Sequence, residues 1–165
     1  VQLLGWQTDL AANGCGTGRF AGGFNDRQAG SDLASEQLDA GADILVPIAG
    51  GTGLGATVVA KARGALLIGV DSDQALTAPE YREIYLSSIL KNSDRVVYDL
   101  IQSVVTGRFL GGNQVGTLAN GGVGLAPFHD FEATVPAALK AELAQLQRDI
   151  IDGKVTSGWD RCTNR

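Results

Sequence analysis

The sequence predicts an α/β domain built on a mostly parallel sheet flanked by helices. Three observations carry that expectation. Short apolar runs of strand length alternate with stretches of helical period along most of the chain. The connections between them are short, as expected for a layered α/β arrangement. One run, Ile44 to Ile48, is apolar without alternation, the pattern of a strand covered on both faces, and it passes directly into a glycine-rich turn and a helix.

Taken in order, Val1 to Trp6 is expected as a first strand, followed by a long glycine-rich loop through Gly23. From Asp26 to Ala40 the apolar residues Ala29, Leu33, Ala34 and Leu38 recur at helical spacing, with Asp26 placed to cap the helix and Gly41 to end it. The strand Ile44 to Ile48 leads through Gly50, Gly51, Gly53 and Gly55 to a helix over Thr57 to Gly64. Ala65 to Val70 is another strand, ending at Asp71-Ser72-Asp73. Beyond Pro79, Ile84 to Leu90 forms the next, and Lys91-Asn92-Ser93-Asp94 opens a helix that runs to Val105 and closes at Gly107. Gln114 to Leu118 and Gly122 to Ala126 are two short strands around Asn120-Gly121, which would pair as a hairpin. Pro136 to Ile151 is an amphipathic helix with Leu139, Leu143, Leu146 and Ile150 on one side. No repeat or interdomain linker interrupts the chain, so one α/β lobe over residues 1–165 is expected.

Composition narrows the function. The 165 residues carry 13 basic and 18 acidic side chains, a net charge of −5, and no basic patch, which excludes nucleic acid as an expected partner. With one histidine, His129, and no cysteine pair at ligand spacing, no metal centre is expected. His129 could join a Ser-His-Asp triad, but no nucleophile elbow accompanies it. The absence of methionine points to a processed product or a piece of a longer protein. The two cysteines, Cys15 and Cys162, lie in glycine-rich and polar surroundings near opposite ends, so a disulfide between them is expected over inert core thiols. That pairing implies an oxidising, extracytoplasmic compartment.

The glycine turn leaves three readings open. Gly51-Thr52-Gly53-Leu54-Gly55-Ala56 satisfies G-x-G-x-x-A, and Asp71 follows twenty residues on, which are the parts of a dinucleotide site and would suit a nucleotide- or NAD-dependent enzyme. The same turn and Asp71 could instead hold a smaller hydroxyl-bearing ligand at the carboxyl ends of parallel strands. Or the glycines serve only to pack a helix on a sheet. Asp71 can accept two hydroxyl hydrogen bonds or cap a turn, Lys91 can donate to the same ligand or stay solvated, and Phe24 can stack on a flat ligand or anchor its loop. No pair of residues demands catalysis.

Four stretches, in one order, are more specific than any single turn. They are Gly41-Ala42-Asp43-Ile44-Leu45-Val46-Pro47-Ile48-Ala49-Gly50-Gly51-Thr52-Gly53-Leu54-Gly55, Ile68-Gly69-Val70-Asp71-Ser72-Asp73-Gln74, Ser87-Ser88-Ile89-Leu90-Lys91 and Asn120-Gly121-Gly122-Val123-Gly124-Leu125-Ala126-Pro127-Phe128-His129-Asp130-Phe131. The series, spanning about Phe24 to Lys154, resembles the second half of the basic membrane protein (BMP) family, solute-binding lipoproteins of ABC transporters typified by purine nucleoside receptors. The resemblance implies one lobe of a type I periplasmic binding protein fold, extracytoplasmic and without catalysis or cofactor. It implies a nucleoside or similar small solute bound between this lobe and an N-terminal lobe absent from the chain, then delivered to a membrane permease. Phe24 would stack on the base, Asp26 and the Gly51-Thr52 turn would lie against the ligand, Asp71 would bind the ribose hydroxyls and Lys91 would add a polar contact. A ligand-sensing regulatory lobe would use the same fold.

Overall fold

A computed structural model describes residues 2–7 and 17–156 of the chain. Its centre is a four-stranded sheet in the order β3 (Ile44–Leu45), β4 (Leu66–Asp71), β5 (Tyr85–Lys91), β6 (Val123–Leu125). The first three strands run parallel and β6 pairs antiparallel with β5. Helix α1 (Arg27–Asp39) precedes β3, α2 (Gly53–Arg63) joins β3 to β4, and the short α3 (Gln74–Thr77) joins β4 to β5. Helices α4 (Ser93–Val105) and α5 (Ala137–Ile151) flank β6 in sequence. The mostly parallel α/β architecture is therefore present, with the helices close to the predicted bounds.

The core lies between the sheet and the α1–α2 pair. Leu45, Leu67 and Tyr85 from three adjacent strands meet Ala56 and Ala60 of α2 and Ala34 and Leu38 of α1. Small side chains allow close approach. A Cβ on Gly30 would stand 2.0 Å from the Thr52 carbonyl oxygen, and one on Gly55 only 1.9 Å from that of Arg27, so the glycines are required where α1 crosses the start of α2. At the other end of α2, Gly64 closes the helix in the left-handed conformation (φ 70°). In the core the Tyr85 hydroxyl lies 2.9 Å from Thr57 Oγ1. Burial holds this phenol above the ordinary tyrosine range, while the hydrogen bond to Thr57 pulls it back in part.

Four expectations need correction. Trp6–Gln7 does not enter the main sheet; it is β1, paired antiparallel with β2 (Thr17–Gly18) in a separate ribbon. The Ile44–Ile48 run is not buried on both faces: only Ile44 and Leu45 pair, and Ile44, Val46 and Ile48 are exposed. β3 is an edge strand, its one covered face is the Leu45 side, and Pro47 has no N–H to extend the ladder. Helix α2 begins at Gly53, inside the expected turn, after a single 3₁₀ turn over Gly50–Thr52. Gln114 to Leu118 forms no hairpin, because β5 takes β6 as its partner: Ser87 Oγ donates to the Ala126 carbonyl and Asn92 Nδ2 to that of Gly121. The Asn120 side chain closes that loop instead, accepting from Thr117 N and Gly122 N and donating to the Val115 carbonyl.

Helix α4 stands apart from this core. None of its residues is buried, and Val97, Ile101, Val104 and Val105, spaced for one side of a helix, are each more than half exposed. Among the described residues no helix is long and apolar enough to cross a membrane.

Gly55→Ala is expected to destabilise the protein by about 1–3 kcal/mol, since main chain has to shift to admit the methyl group; an unchanged urea midpoint would contradict the packing described. Tyr85 gives a second expectation. Its folded pKa is raised, so the stability it confers is complete below the unfolded value, about 10, and is lost as pH rises through the folded one. Tyr85→Phe should therefore flatten the fall in melting temperature as pH rises above about 10. An identical fall in both proteins would refute that origin.

Candidate functional site

Because β3, β4 and β5 are parallel, their carboxyl ends open on one edge of the sheet. Every residue singled out from the sequence and described in the structure sits on that edge or against it. Cys15 and Cys162, the expected disulfide, lie outside the described residues.

At the ends of β4 and β5 the structure joins Asp71 to Lys91. The strands are registered Asp71 with Leu90, and Lys91 Nζ lies 2.7 Å from Asp71 Oδ1. Both side chains are at least half exposed, so this ion pair contributes little stability and can be opened by a competing polar ligand. Asp71 is held with φ 74°, the left-handed region. That conformation is tolerated better by aspartate than by most residues with a Cβ.

The second group forms at the end of β3. Thr52 N donates to the Phe24 carbonyl oxygen at 2.9 Å, Asp26 N donates to Thr52 Oγ1 at 2.9 Å, and Thr52 Oγ1 donates to the Gly23 carbonyl oxygen at 3.0 Å. These bonds clamp the loop carrying Phe24 onto the Gly50–Thr52 turn, and a Cβ on Gly51 would stand 3.1 Å from the Phe24 carbonyl oxygen. The Phe24 ring is 71% exposed, an aromatic face held on a fixed loop with nothing over it. Thr52 is 1% exposed, and its hydroxyl is committed to the loop. Its part is to build the site from behind, not to reach a ligand with its side chain. Asp26 is exposed and caps α1 by accepting from Ala29 N at 3.0 Å.

The geometry weakens the dinucleotide alternative. A pyrophosphate cradle needs the turn's N–H groups free. Here Thr52 N donates to Phe24 and Ala49, and Gly53 N to Gly50 and Gly51. Gly55 is occupied with packing against α1. The arrangement offers instead a flat aromatic surface, a carboxylate able to accept two hydroxyls and a lysine beside it. It forms an open edge, not a hollow. A cavity of about 270 Å³ lies elsewhere, between α4 and the 108–120 loop, lined by Arg95, Asp99, Arg108 and Asn120 among others.

One pair was not foreseen. His129 Nε2 lies 2.7 Å from Asp73 Oδ2, with both side chains mostly buried. The second aspartate of Asp71-Ser72-Asp73 was visible as a signal, but nothing local ties it to a histidine 56 residues away.

Comparison with known proteins identifies the family. The family described as "ABC transporter substrate-binding protein PnrA-like" matches residues 18–156. The "ABC transporter nucleoside-binding protein BmpA" of Lactococcus lactis is 32% identical over 154 residues, covering 84% of this chain and 42% of that protein. An "uncharacterized lipoprotein" of Pyrococcus abyssi is 38% identical over 112 residues, covering 64% of this chain and 27% of its own length. Among solved structures, an ABC transporter solute-binding protein from Aeropyrum pernix superposes with a TM-score of 0.69 at 26% identity, over 84% of this chain and 46% of that one. The chain thus spans less than half the length of each of these relatives. The ordered motifs, the parallel edge carrying Asp71 and Lys91, and the match over residues 18–156 together place this chain in the Bmp family of ABC transporter substrate-binding proteins.

Proposed function

We propose that this chain is one lobe of an extracytoplasmic receptor that captures a nucleoside, or a similar small solute with vicinal hydroxyls, and presents it to a membrane permease. The observation that carries the reading is the pairing of Asp71 with Lys91 on the open edge, with the exposed Phe24 ring on the same edge. A nucleoside is complementary to this set: its ring stacks on an aromatic face, and its diol replaces one side of an exchangeable ion pair. The nucleoside-binding name of the Lactococcus relative and the lipoprotein name of the Pyrococcus one support ligand class and compartment.

A companion lobe completes the site. Such clefts enclose most of a ligand's surface, and this edge is open. The bare apolar side of α4, which starts two residues after Lys91, is a surface of the kind a packed neighbour covers. The relatives' additional length is the natural source of that neighbour. The Cys15–Cys162 disulfide belongs to the same proposal, as the mark of an oxidising compartment.

In the complete two-lobe protein, Asp71→Ala should weaken binding of its nucleoside by about 1–3 kcal/mol in calorimetric titration, because the hydroxyls lose their acceptor. Wild-type affinity in that variant would remove Asp71 from the site. Non-reducing peptide mapping of secreted protein should yield one fragment joining Cys15 to Cys162; two alkylatable thiols would refute the disulfide.

A further inference from the structure

We propose that His129 is a positioning residue for the ligand: by holding Asp73 it sets the backbone of Asp71 in the conformation that grips the ligand's vicinal hydroxyls. The inference rests on the reading that Asp71 binds that diol, and it adds a residue that touches no ligand.

Two observations lead to it independently. The first is conformational. Among the described residues, the non-glycine positions with positive φ are Asp71 (74°) and His129 (45°), so the unusual backbone geometry of the lobe is confined to this one neighbourhood. Left-handed backbone persists at residues with a Cβ only where surrounding contacts hold it. The second is polar. Asp73, two residues beyond Asp71, places Oδ2 2.7 Å from His129 Nε2, while its Oδ1 is buried with no partner among the described residues. The imidazole is thus the one group satisfying a mostly buried carboxylate. Without it the carboxylate would have to turn toward water, because a buried unpaired charge is strongly disfavoured. The Asp71–Asp73 turn would move with it.

His129 can serve as a prop because its own segment is anchored. Phe131 N donates to the Phe128 carbonyl oxygen at 2.9 Å, Glu132 N to that of His129 at 3.0 Å, and Arg82 Nε to Asp130 Oδ1 at 2.9 Å. On the other side, Gln74 N donates to Ser88 Oγ at 3.1 Å and Gln74 Nε2 to the Val70 carbonyl oxygen at 3.0 Å. These bonds fix the strand end below Asp71 and the start of α3 above it. The carboxylate–imidazole contact ties the turn between them to the segment that follows β6. An Asp71 side chain aimed by this frame meets a diol already oriented; one released from it has to be ordered on binding.

The test is calorimetric titration of the complete two-lobe protein with adenosine and guanosine and with their 2′,3′-dideoxy forms. His129→Ala should weaken binding of the ribonucleosides about tenfold while leaving the dideoxy forms within about twofold, and adding it to Asp71→Asn should cost nothing further. His129→Gln, which keeps an N–H donor, should recover most of the discrimination. Equal weakening of both ligand classes, or undiminished discrimination, would overturn the inference. If Asp71→Asn alone loses discrimination and His129→Ala does not, only the role of His129 falls. If Asp71→Asn keeps it, or the wild type binds no nucleoside, the reading of the site falls as well. Should His129→Ala not fold, Asp73→Asn carries the same comparison, with loss of discrimination expected and wild-type discrimination overturning the proposal.

Discussion

Parallel pairing of β4 with β5 decides where chemistry can occur in this lobe. It sends both strands out of the sheet in the same direction, so Asp71 and Lys91 end side by side with 2.7 Å between their charged atoms. The parallel pairing of β3 with β4 brings the turn after β3, with Phe24 clamped upon it, to the same edge. Antiparallel pairing would have put the aspartate and the lysine at opposite ends of the sheet. β6, the one antiparallel member, returns the chain along β5 after the α4 excursion and delivers His129 behind Asp73.

That edge depends in turn on close packing behind it. Gly30 and Gly55 let the backbones of α1 and α2 approach to distances that a single methyl group forbids, and this approach seats the Gly50–Thr52 turn under the Phe24 loop. A glycine-rich turn after a strand is therefore doing two things at once. Part of it permits helix packing, and part of it faces the open edge. The buried Thr52 hydroxyl ties the turn to the Phe24 loop by donating to the Gly23 carbonyl oxygen and accepting from Asp26 N.

How much of this was legible in the sequence follows from the range of the interactions involved. Helices α1, α2 and α5 and strands β4 and β5 were readable because periodicity, caps and a left-handed closing glycine are local signals. The failures are non-local. Whether Ile44–Ile48 is covered on one face or two depends on what lies beyond the sheet edge, and whether Gly122–Ala126 pairs with Gln114–Leu118 or with β5 depends on a competition the local residues do not reveal. Of the candidate site, Asp71 and Lys91 were legible as strand-end residues and Phe24 as an aromatic in a glycine-flanked loop. The link from Asp73 to His129 was not, since it joins segments brought together only by the antiparallel return of β6. The exposure of the apolar side of α4 is visible only once the lobe is built.

The most direct measurement is a crystal structure, with a bound purine nucleoside, of the proposed two-lobe receptor. The ribose hydroxyls should donate to the Asp71 carboxylate beside Lys91, with the base against the Phe24 ring and α4 buried against the second lobe. Ligand density away from the β4–β5 edge, or a nucleotide phosphate seated on the N-terminus of α2, would refute the assignment of this edge as the site.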